Sequence, residues 1–127
     1  MINTPISIGE LIDKITILQI KSKKIVDPSQ LININKELNL LLDVGKEVLL
    51  VIGDLFNSLK IINSTLWDTE DKIRDCEKQE DFGPGFISLA RHIYILNDER
   101  SIIKKRINLL TCSKLIEEKS YSFYKKE

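Results

Sequence analysis

Apolar residues recur along this chain in steps of three and four, the spacing of helices that bury one stripe of their surface. Ile8, Leu11, Ile12, Ile15 and Leu18 open the pattern. Ser7 stands just before them and Glu10 three residues later, the spacing of a capping box. A first helix is predicted over about 8 to 25. Asp27-Pro28 then closes it and starts the next, with the aspartate as N-cap and the proline in the first turn.

The next stretch is unusually regular. Leu31, Ile34, Leu38, Leu41, Gly45, Val48, Ile52, Leu55, Leu59, Ile62, Leu66, Thr69, Ile73 and Cys76 form a heptad seam in which only Gly45 and Thr69 are weak. The unbroken phase predicts one long helix, straight or bent, over 28 to 79, roughly 75 Å long at about 1.5 Å per residue. Asn63-Ser64-Thr65 is the expected place for a kink, because these side chains compete for backbone hydrogen bonds. Gly83-Pro84-Gly85 marks a turn. A last helix follows over about 85 to 111, with Phe86, Leu89, Ile93, Leu96, Arg100, Ile103, Ile107 and Leu110 as its seam. After Ser113 the pattern supports a weaker helix or an ordered tail that ends at Lys125-Lys126-Glu127.

The expected fold class is therefore all-α: one domain over 1–127, a helical hairpin with one long heptad-patterned helix plus an N-terminal helix. The long seam carries more apolar surface than the two other helices cover in one copy, and Leu40, Leu42, Leu49 and Leu50 add to it. An apolar stripe of that kind needs a partner. A homodimer through the long helix is expected, giving a dimeric helical bundle. The alternative is a monomer in which that helix breaks and folds back.

Composition narrows the partners. With 43% hydrophobic and 30% charged residues the chain is an ordinary globular one. Lys+Arg and Asp+Glu are 19 each, so there is no general attraction to nucleic acid or to anionic lipid, and neither is expected as a partner. The run Val48 to Ile52 is far too short to span a bilayer. Met1-Ile2-Asn3-Thr4-Pro5 is not a secretory leader. The expected compartment is cytoplasmic, with reduced thiols. Cys76, Cys112 and the single His92 have no metal-ligand spacing, so no metal or cofactor is expected.

The informative feature is charge on faces that should be buried. Glu70 and Glu77 lie within about 40° of the seam through Leu66 and Ile73, with Arg74 on its flank. Arg100 is on the seam of the last helix, and Asn97 and Lys104 lie beside it. Glu10, Lys14 and Lys21 line one shoulder of the first helix. Arg91, Tyr94 and Asp98 share the opposite face of the last helix, where they meet solvent or a second partner. A hairpin about the 83 to 85 turn brings Glu70 within reach of Asn97 or Arg100, and Glu77 near Arg91.

Charges enter a core only when paired, since desolvation costs several kcal/mol per ion. One arrangement is a buried Glu70–Arg100 pair that fixes helix register. A second is a polar pocket of Glu70, Arg74, Glu77, Asn97, Arg100 and Lys104, where carboxylates hold a cation or bases hold a small anionic ligand, with Trp67 as a wall. A splayed bundle that leaves these groups in solvent is the third. Lys104-Lys105-Arg106 points in three directions around a helix and reads as a solvated stretch, His92 as a rim histidine and Cys76 as a small core residue.

Three segments also carry a resemblance. These are Gly9 to Leu18; Leu66-Trp67 with Glu70-Asp71 and Ile73-Arg74; and Phe86-Ile87 with Leu89-Ala90-Arg91, Tyr94 and Asn97-Asp98-Glu99-Arg100, trailed by Glu118-Lys119-Ser120-Tyr121. Together they resemble a family of small bacterial proteins catalogued only as a domain of unknown function, over nearly the whole chain. The resemblance implies no activity. A weaker similarity is to the all-α nucleotide pyrophosphohydrolases, which hold magnesium with carboxylates at helical spacing. Glu10 with Asp13, and Glu70 with Glu77, map onto that idea, but Asp13 is expected to point away from the seam and the paired carboxylate signature is missing. A chorismate-mutase-like bundle lacks its set of cationic positions. The reading that results is a non-enzymatic interaction or small-ligand-binding module, with the magnesium-dependent enzyme as the alternative.

Overall fold

A computed structural model describes residues 1–125, and four helices follow one another within them: α1 (Ile8–Lys24), α2 (Pro28–Leu49), α3 (Asp54–Lys78) and α4 (Pro84–Leu110). Among the described residues there is no strand. The start signals work as the sequence predicts. Ser7 Oγ accepts from the Glu10 N–H at 3.0 Å and caps α1. Asp27 accepts from the Gln30 N–H at 3.0 Å and from Ser29 Oγ at 2.5 Å, with Pro28 opening α2. Lys21, Lys23 and Lys24 in the last turn of α1 suit the negative end of its dipole.

The single helix expected over 28 to 79 is in fact two helices. The chain leaves α2 after Leu49 and turns through Leu50 to Gly53, which stands at φ 57°. A side chain at that φ is disfavoured, so glycine takes the position. The seam nevertheless stays in phase: Ile52 is 3% exposed and joins the core with Leu59. Heptad spacing records which residues face inward and is blind to whether the backbone between them stays helical. Asn63-Ser64-Thr65, the expected kink, lies inside α3. There Thr65 Oγ1 donates back to the Ile61 carbonyl at 2.9 Å, while Asn63 turns its amide inward.

The N-terminal helix is central. α1 packs against α2, α3 and α4, and α3 and α4 pack on each other as a hairpin. Leu11, Ile12 and Ile15 of α1 meet Ile52, Leu59, Ile103 and Ile107 in one core. The weak seam position Gly45 is a close approach, since a Cβ there would stand 3.0 Å from Ile15 Cδ1. Much of the α2 seam is thus covered by α1 within one copy, with Ile34 and Gly45 buried. On the outer side of α2, Ile32 and Val44 remain about 70% exposed.

No helix follows α4 among the described residues. The chain from Ser113 instead runs back along α4 as an ordered tail. Glu118 pairs with Lys105, Lys119 with Asp98, and the Tyr124 ring with that of Tyr94. Tyr94 and Asp98, on the face expected to meet solvent or a partner, therefore meet the chain's own C-terminal segment. Lys126 and Glu127 of the expected polar end lie outside the described residues. None of the described helices is long and apolar enough to cross a membrane.

Candidate functional site

Where α1 meets the α3–α4 hairpin, a buried carboxylate gathers polar groups from all three helices. Asp13 is 1% exposed. Arg100 of α4 engages it with a two-pronged fork, Nε donating to Oδ1 at 2.9 Å and NH2 to Oδ2. Asn63 Nδ2 of α3 donates to the same Oδ1 at 2.9 Å and to Thr16 Oγ1 at 2.8 Å, and Thr16 Oγ1 donates to the Asp13 carbonyl at 2.7 Å. Lys104 Nζ stands 2.6 Å from Glu10 Oε2 and 3.8 Å from Asp13 Oδ2. Two acids and two bases cancel, which makes burial of the group tolerable.

The parallel donors of an arginine match a carboxylate's geometry, and they fix the guanidinium plane. The hydrogen bonds to Asp13 raise the Arg100 pKa above its ordinary value; burial opposes this, and the charges of Asp13 and Glu10 reinforce it. Arg100 is therefore a permanent cation, with 28% of its side chain exposed. A tight junction one turn away supports the cluster. The Gly9 N–H donates to Asn108 Oδ1 at 2.6 Å, and a Cβ on Gly9 would lie 2.6 Å from the Lys104 carbonyl oxygen. Only a glycine lets α1 approach α4 this closely.

The expected Glu70–Arg100 pair does not form, because Asp13 takes the guanidinium. Among the described residues Glu70 reaches one cation, the largely exposed Arg74, at 4.0 Å. Glu77 is exposed and joins neither the cluster nor the groove beside it. The expectation that Asp13 points away from the core is also overturned. It assumed one buried stripe on α1, whereas α1 is enclosed by three helices and has a second inward face. The need of a seam arginine for an acid was the available signal; Glu70 answered it on paper, while Asp13 was placed on the far side of α1. Of the carboxylates mapped to magnesium binding, Glu10 and Asp13 engage Lys104 and Arg100, Glu70 lies 4.0 Å from Arg74, and Glu77 is exposed. Among the described residues no three His, Cys, Asp or Glu side chains gather in a way that would hold a metal ion. His92 is exposed and Cys76 half-buried.

Two grooves flank the cluster and share Asn97 and Arg100. One, of about 540 Å³, lies between α1, α3 and α4. Ile17, Ile20 and Leu66 supply its apolar lining, and Trp67, Glu70, Asp71, Arg74, Asn97 and Arg100 its polar and aromatic walls. It brings together four of the six site residues read from the sequence: Glu70, Arg74, Asn97 and Arg100. The other, of about 710 Å³, lies between α4 and the tail and includes Lys104.

Comparison with protein families then gives a clear result: the model described as "Family of unknown function (DUF6165)" matches residues 2–125. The chain belongs to the DUF6165 family. The match takes in all four helices and the tail, so the Asp13 cluster and both grooves lie inside the DUF6165 region. A search of curated proteins and one of solved structures found no match. The DUF6165 description carries no activity.

Proposed function

We propose that the chain is a non-enzymatic binding module that takes a small carboxylate-bearing ligand in the groove between α1, α3 and α4. The observation that carries this reading is the anchored Arg100. A guanidinium has five N–H donors, and Asp13 engages only two of its nitrogens, so a rigid cation with donors to spare faces the groove. Asn97 and Arg74 stand beside it as further donors. Glu70 and Asp71 on the α3 wall repel a second negative charge and suit an ammonium group. The fitting ligand is a small monoanion or zwitterion whose apolar part lies on Trp67 and Ile17. A volume of about 540 Å³ is within the usual range for such sites. A thermal-shift screen of amino acids and small aromatic carboxylates tests it. A ligand at a hundred times its Kd adds about 2.7 kcal/mol of stability. That gain should vanish in Asn97→Leu and in Trp67→Ala. A screen without any ligand-specific shift, or a shift that both variants retain, contradicts the reading.

We also propose that α2 meets a second copy of the chain through its outer face. The support is the exposure of Ile32 and Val44 on a helix that packs mainly on α1. Sedimentation equilibrium at micromolar concentration decides between a dimer and a 14.6 kDa monomer.

A further inference from the structure

We infer that the groove between α4 and the C-terminal tail is a second binding site, for a small phosphorylated anion, and that the tail's own carboxylates block it. This rests on residues separate from the carboxylate groove except where Asn97 and Arg100 reach both. The α4 wall of the groove carries Arg100, Lys104 and Lys105 and the acid Asp98. Arg100 and Lys104 also pair with Asp13 and Glu10 of α1, so Lys105, whose acid partner Glu118 comes from the tail, is the cation that an incoming anion reaches first. Asn97, Lys104 and Asn108 follow at helical spacing along that wall, so amide and ammonium donors line one side of the space. Tyr94 and Tyr121 add rings at the end away from Asn108, and the volume of about 710 Å³ holds a ligand of nucleotide size.

The remaining acids of the groove come from the tail, and they sit where an anion would. Glu118 accepts from Lys105 Nζ with both oxygens, at 3.1 and 2.9 Å. Glu117 accepts from Asn108 Nδ2 at 3.4 Å and from Ser7 Oγ at 2.6 Å. Two consecutive carboxylates thus occupy donors on α4 as a bound polyanion would. The Glu118 end of this clamp is the weak one. Lys105 and Glu118 are 46% and 73% exposed, and the neighbouring tie of Lys119 to Asp98 is 34% and 36% exposed, whereas Glu117 holds the buried Ser7. Exposed pairs contribute little and are screened by salt. Over residues 113–125 the tail has no helix or strand of its own to hold it in place. An anion with two adjacent phosphoryl groups offers Lys105 more charge than Glu118 does, and it displaces that carboxylate.

The experiment is an NMR titration of the full chain with inorganic pyrophosphate at constant ionic strength, followed through backbone amide shifts and ¹⁵N relaxation. Saturable shifts at Asn97, Lys104 and Lys105 are expected, with lower order parameters at tail residues 115 to 121 as the ligand binds. Glu118→Gln should bind pyrophosphate about two- to fivefold more tightly, the effect of removing one exposed competing ion pair. Lys105→Met should lose most of the binding. Unchanged or weaker affinity in Glu118→Gln overturns the blocking role. Citrate binding as tightly as pyrophosphate overturns the phosphate assignment, and absence of saturable shifts on α4 overturns the site itself.

Discussion

Removing Arg100 should cost far more than its partial exposure suggests. Asp13 is 1% exposed, and in Arg100→Met it would keep its Asn63 bond but lose both bonds from the guanidinium. Breaking a buried pair from one side costs about 3–5 kcal/mol, because the survivor is a desolvated charge. Here Lys104, 3.8 Å from the same carboxylate, offers partial compensation, which lowers the expectation to about 2–4 kcal/mol. A stability of about 5–15 kcal/mol would fall by a large fraction. With m at about 1–3 kcal/mol/M, a loss near 3 kcal/mol moves the urea midpoint down by about 1–3 M. Replacing both partners, in Asp13→Leu/Arg100→Met, should restore much of that loss, since packed apolar residues often match a buried ion pair. The double-mutant cycle should then show a coupling of at least about 2 kcal/mol. Glu70→Ala serves as the control and should cost under about 1 kcal/mol, since its contact with Arg74 is long and exposed. Single changes at Asp13 and Arg100 that each cost under about 1 kcal/mol, or that simply add, would show that the two groups are not a coupled buried pair.

Three further outcomes follow from the geometry. Gly9→Ala should destabilise by about 1–3 kcal/mol in urea melts, because its Cβ would press on the Lys104 carbonyl 2.6 Å away, which is backbone and cannot swing aside. Gly53→Ala should cost about 1–2 kcal/mol from its φ of 57° alone, with no steric part, since nothing lies within 4 Å of a Cβ there. The Asp27 carboxyl is held below its ordinary pKa first by the Ser29 hydroxyl, then by backbone N–H groups of Gln30 and Ser29, with desolvation opposing. Its contribution is thus present above the usual carboxylate range and is lost as the pH falls through it. Melts of Asp27→Asn should therefore lie below those of the parent at neutral pH and converge on them in acid, and a gap that persists below the carboxylate range would contradict this.

Local signals in the sequence were reliable where a single residue type does the work. Ser7, Asp27-Pro28 and Gly83-Pro84 set helix ends that the structure reproduces to within a residue or so. The break at Gly53 was missed because a heptad seam continues through a tight turn of the right length. The polar face of α4 was legible in Arg100, Asn97 and Lys104, since charge on a seam demands partners. The partner itself was not. Choosing Asp13 over Glu70 depends on which helix lies over α4, and the central position of α1 follows from the break after Leu49, not from the periodicity of α1. Glu117 and Glu118 were out of reach for a different reason. An extended tail has no period, and its docking is decided by the surface already built beneath it.

Under the proposed function, Arg100, held by Asp13, presents a ready donor surface to a small carboxylate in the α1/α3/α4 groove. The most direct measurement follows the Trp67 indole, the Asn97 amide and the Arg100 Nε–H by ¹H–¹⁵N NMR while the best amino-acid or aromatic-carboxylate hit of the thermal screen is added to the full chain. These three signals should shift together and saturate with one Kd, while amides on the outer face of α2 stay still. Shifts confined to other parts of the chain, or no saturable shift at all three, would contradict binding in this groove.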